Sequence, residues 1–95
     1  MARLTTVVSL AGVGEEAARA SVPRMLERLR GEPRVAAAEA AWEGGRLVVT
    51  VEAEVDGPVI SDADEADNFH RVWRCAVACL GGDAGGLQFE IEGSI

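Results

Sequence analysis

Apolar and polar residues alternate at the start of the chain, and a change of period follows. In "RLTTVVSL", Leu4, Thr6, Val8 and Leu10 fall on one side of an extended backbone while Thr5, Val7 and Ser9 fall on the other, which predicts a strand. Gly12 and Gly14 then break the pattern. "EEAARASVPRMLERLRG" reads as a helix, with acids in its first turn, arginines in its last and Gly31 as its stop. Pro23 would cost about 3 kcal/mol in a helix interior. The reading that avoids this makes Ser21 a second N-cap, so that a helix restarted or kinked there carries Val22, Met25, Leu26 and Leu29 as its core stripe.

"RVAAAEAAWEGGRLVVTVEAEV" sets local propensity against pairing. The alanines and glutamates favour a helix over Val35 to Trp42, yet Gly44-Gly45 is a two-residue hairpin turn. Folding about it places Glu43 opposite Arg46, Trp42 by Leu47, Ala40 by Val49, Ala38 by Val51 and Ala36 by Ala53, with the glutamates on the other face. Two strands satisfy that separation. After the loop "DGPVISD", Ser61 caps a second helix that begins near Asp62. A glycine-rich turn then leads to a last strand in which Leu87, Phe89 and Ile91 alternate with Gln88, Glu90 and Glu92. The order βαββαβ predicts an α+β, ferredoxin-like domain over residues 1–95: a four-stranded antiparallel sheet with two helices on one face.

Composition narrows the function. The chain has 95 residues and a net charge of −7, and its nine basic residues are all arginine. A nucleic-acid partner is not expected, because a polyanion would meet a surface of its own sign. The absence of lysine removes Schiff-base chemistry and the phosphate-loop lysine, and with no tyrosine and one histidine few general bases remain. An enzyme is therefore the least expected class, with no catalytic residue and no cofactor assigned. No apolar run approaches the ~20 residues of a membrane span. The opening "MARLTTVVSLAGVG" alternates as a strand does, so a cytoplasmic protein with reduced thiols is expected.

The densest chemistry lies in "DADEADNFHRVWRCAVACL". At about 100° per residue, Phe69, Val72, Trp73, Ala76, Val77 and Leu80 form a core sector. His70 then lies about 100° to one side of Phe69, and Cys75 and Cys79 about 120° and 80° to the other, so they cannot share one ion. The thiols read as small, partly buried apolar residues; the alternative is a soft-metal-binding or redox-sensing pair at Cys75 and Cys79. Asp62, Asp64 and Glu65 sit where the helix dipole favours acids, and Ser61 with Asp64 imitates a capping box. "DADEAD" lacks the glycine and closing glutamate of a calcium loop, and no metal site is assigned.

Gly12 and Gly14, between a strand and a helix, could bring backbone amides to an anion. They join Ser61 and His70 as candidate ligand-binding residues, with a small molecule expected between the first loop and the start of the second helix or at a dimer interface. The uncovered sheet face would carry Thr5, Val7, Val35, Ala37, Ala41, Val48 and Thr50, with glutamates towards its rim. A homodimer is expected through that face or through the edge strand ending at Trp42. In layout the chain resembles small regulatory modules of the ACT type, through the glycines of the first loop, and also heavy-metal-associated domains. The metal-binding thiols of the second family lie in that loop, where this chain has Gly12 to Gly14 and no cysteine. The expected function is a small non-catalytic module with a regulatory or small-molecule-binding role; a structural, protein-binding module is the alternative.

Overall fold

A computed structural model describes residues 2–56, 60–80 and 87–94. Its elements follow the expected order: β1 (Ala2–Ala11), α1 (Glu15–Arg30), β2 (Val35–Glu43), β3 (Arg46–Val55), α2 (Asp62–Leu80) and β4 (Gln88–Ser94). The strands form one antiparallel sheet in the order β2-β3-β1-β4, and both helices pack on one side. This is the ferredoxin-like arrangement. Each strand-helix-strand crossover skips one strand, so β3 and β1 end up in the middle, where hydrogen bonds flank them on both edges.

Pairing overrides helix propensity in the alanine segment, because the glycine turn is already committed to a hairpin. Gly44 (φ 55°) and Gly45 (φ 81°) both take the left-handed conformation of a type I′ turn, whose twist suits the strands it joins. The register runs Glu43 to Arg46, Trp42 to Leu47, Ala40 to Val49 and Ala38 to Val51. It departs from expectation at the far end, where a bulge between Val35 and Ala37 sets Val35, not Ala36, opposite Ala53. Val35 consequently packs on the core instead of lying on the open face. Arg34, at φ 73°, makes the turn into the bulge.

Pro23 does not restart α1. The helix is continuous from Glu15 to Arg30, with Pro23 on its exposed side, where water can reach the carbonyl left without a partner. Ser21 is no cap either: it is buried, and its hydroxyl donates to the carbonyl of Ala18 at 2.8 Å. Met25 and Leu29 are fully buried as expected, with Val22 and Leu26 at the core's margin.

The core lies between the helices and alternate residues of the strands. Leu10, Met25, Leu29, Leu47, Val8, Val49, Val51 and Val72 are its largest sealed apolar side chains. α2 sits rotated from the expected sector: Asn68, Val72, Cys75 and Ala76 face inward, while Trp73 is 45% exposed. Small residues at 75 and 76 let the helix approach closely, and the amide of Asn68 finds partners beneath it. Phe69 stays half-buried, edge-on to Phe89 at a ring separation of 6.1 Å.

Candidate functional site

The antiparallel pairing of β1 and β3, with Ala2 opposite Val55 and Leu10 opposite Leu47, separates the two loops that were expected to share a ligand. Gly12 and Gly14 follow the end of β1; Ser61 and the start of α2 follow the end of β3, at the opposite end of the sheet. A strand of ten residues separates them, about 30 Å. No single small molecule spans that gap. Gly12, at φ 88°, serves the turn out of β1. His70 is exposed, its ring edge-on to Phe69 at 6.0 Å. Ser61 lies beside a formed cleft, through its bonds to Asp64.

That cleft, of about 320 Å³, lies at the corner where β3 ends and α2 begins. Ala53, Glu54 and Val55 line one wall; Asp64, Asp67, Asn68 and Arg71 project from α2; Arg34 and Asp56 complete the lining. Ser61 fixes the helix start. Its backbone N–H donates to Asp64 Oδ2 at 2.8 Å, and its hydroxyl donates to the same oxygen at 3.1 Å. This is the carboxylate half of a capping box, and it holds Asp64 at the cleft.

Two turns further in, Asn68 is 1% exposed and its amide is fully engaged. Nδ2 donates to the carbonyl of Leu4 at 3.2 Å and to Thr6 Oγ1 at 3.0 Å, while Oδ1 accepts from Arg71 Nη1 at 2.7 Å. The sheet thereby orients the amide, and the amide orients a guanidinium that keeps its other N–H donors. Arg34 Nη2 meets Asp56 Oδ2 at 2.7 Å. This hydrogen bond and its charge hold the Asp56 carboxyl below the usual carboxylate range and push the Arg34 guanidinium up. The cleft thus sets two arginines among the carboxylates of Asp56, Asp64 and Asp67.

The thiols lie elsewhere. Both cysteines are free, Cys75 buried and Cys79 half-buried. Burial pushes the Cys75 thiol up, Glu32 and Cys79 add to the shift, and Arg74 and Arg28 only partly oppose it. Among the described residues no group of three or more His, Cys, Asp or Glu side chains is placed to hold a metal ion, and no helix is long and apolar enough to cross a membrane.

Sequence reasoning missed Arg34, Asp56, Asp67, Asn68 and Arg71. Asn68 was legible in principle, as a polar residue one helical turn before the core position Val72. Arg34 and Asp56 meet only through tertiary structure. No family model, curated protein or solved structure matches the chain.

Proposed function

We propose that the chain is a non-catalytic module that binds a small polar molecule in the corner cleft, and that the ligand carries both a negative and a positive group. The observation that carries this reading is the Asn68–Arg71 bond: a buried amide, satisfied on all sides, pre-orients a guanidinium beside the carboxylates of Asp64 and Asp67. An arginine held this way loses little freedom when it pairs with a carboxylate, and the neighbouring acids suit an ammonium group. A catalytic reading lacks a reactive group at the same place, since Cys75 is buried with a raised pKa and His70 stands on another flank of α2.

Both routes to a homodimer meet physical obstacles. The open sheet face has a charge that two copies would share, as detailed below. The β2 edge is interrupted by its bulge, and Arg30 Nη2 donates to the carbonyl of Ala38 at 2.9 Å, which occupies a backbone acceptor that a pairing strand would use. A monomeric binding module is the reading we adopt.

Backbone amide shifts recorded during titration with millimolar glycine, alanine and serine test the cleft. Movements at Asp64 to Arg71 and at Arg34 are expected, much smaller with acetate or methylamine, and lost in Arg71→Met. If none of these amino acids moves those amides, the reading fails.

A further inference from the structure

We infer that the open face of the sheet docks a helix of another protein that carries lysines or arginines on both sides of an apolar stripe. This inference is independent of the cleft. On the open face the strand register lines up Ala41, Val48 and Ser9 in one row, and Val7 and Thr50 in the next. Val7, Val48 and Thr50 are half-buried by their neighbours alone, and Ala37 and Ala41 are exposed. Neither α1 nor α2 covers them, since both pack on the other side of the sheet.

Around that apolar strip stand Glu39 and Glu43 on β2, Glu52 and Glu54 on β3, and Glu90 and Glu92 on β4. Alternation along β4 places Glu92 with Glu90 on this face, where its Oε1 accepts from Ser9 Oγ at 2.6 Å, and the bulge follows it, setting Gly93 opposite Val7. Among the described residues two arginines share the face. Arg3 lies 3.4 Å from Glu52 and 3.9 Å from Glu54, and Arg46 lies 3.5 Å from Glu90 and 3.4 Å from Glu92. Six glutamates against two arginines leave −4 here, more than half of the chain's net −7.

That charge decides the occupant. A second copy laid face to face would bring −4 against −4 over a low-dielectric strip, which opposes association. A cationic partner meets complementary charge on both flanks. The acids of β2 and β4 stand three strand spacings apart, about 14 Å. A helix with side chains is about 10 to 12 Å across, so one helix fills the strip and sends basic side chains to both rows.

Two synthetic helical peptides test this against the intact protein by fluorescence anisotropy and amide shifts: one with a leucine stripe flanked by lysines, the other with glutamates in place of the lysines. The lysine peptide should bind, weaken as salt rises, and move Val7, Ala41, Val48 and Thr50 while sparing α1 and α2. Glu39→Gln with Glu43→Gln, on an exposed strand, should weaken it about tenfold without loss of the circular dichroism of the fold. Equal binding of the glutamate peptide or of a lysine peptide lacking the stripe would overturn the inference. So would shifts centred on the helices, or a sedimentation mass showing the face filled by a second copy.

Discussion

The two faces of the sheet are built by the same strands, one residue out of step, and they obey different rules. On the helix side Val8, Leu47, Val49 and Val51 are wholly buried. On the other side Val7, Val48 and Thr50 stay partly open among six glutamates. Backbone pairing is common to both faces, so the contrast isolates what the helices add: removal of apolar side chains from water, at roughly 25 cal/mol per Å². It also shows why a face left uncovered can hold charge. A glutamate there keeps its hydration, whereas the same group under α1 or α2 would have to shed it.

The largest expected effect sets neighbouring residues of β3 against each other. Leu47→Ala should destabilise by about 2 to 5 kcal/mol, because it opens a cavity where the side chain is sealed. Val48→Ala, one residue along on the open face, should cost under about 1 kcal/mol. Urea unfolding of both variants reads the difference directly. Similar losses at both positions would mean that the open face is covered in solution.

Asn68 sharpens the contrast as a polar side chain sealed on the covered side, where it bonds to another, Thr6. Asn68→Ala should cost about 1 to 3 kcal/mol, since it strips partners from the Leu4 carbonyl and Arg71. It should also abolish the amide shifts caused by small amino acids, through release of the guanidinium. A variant that keeps ligand binding would assign Asn68 a purely structural part. A smaller change belongs to the helix start, where Asp64→Ala removes the bonds to Ser61 and should cost about 0.5 to 1 kcal/mol.

The architecture was legible in the sequence because period and turn chemistry agree there. Alternation in β1, β3 and β4, the glycine pair at 44–45 and the caps of both helices all point to one topology. The rotation of α2 was not legible. A pattern that weights residues by hydrophobicity drew Trp73 and Val77 inward, whereas close approach of a helix favours small residues and a satisfied amide. Nor was the cleft, because Arg34, Asp56 and Asn68 come from three separate segments. The expected pairing of Gly12 and Gly14 with Ser61 ignored strand direction: antiparallel order sends those loops to opposite ends.

Titration distinguishes a buried group from an exposed one by the sign of its effect. Burial raises the Cys75 pKa, so the unfolded chain loses that proton first, and stability should fall as pH rises through the thiol range. Its alkylation should be slow until the protein unfolds, and slower than that of the half-buried Cys79. Rapid native labelling of both thiols would revive a redox role.

Asp56 works in the opposite direction. Arg34 lowers its pKa in the folded state, so its contribution is present above the unfolded carboxylate range and is lost as pH falls through the folded value. Both partners are exposed to solvent, which makes this the smallest effect of the set and one that salt should erase. Comparison of the parent chain with Asp56→Asn between neutral pH and pH near 3 checks it: the two stabilities should converge as the solution is acidified and, at neutral pH, as salt is added. A gap that persists at high salt would show Asp56 held by more than the exposed arginine, and would move the acidic wall of the cleft from the solvent-facing class into the structural one.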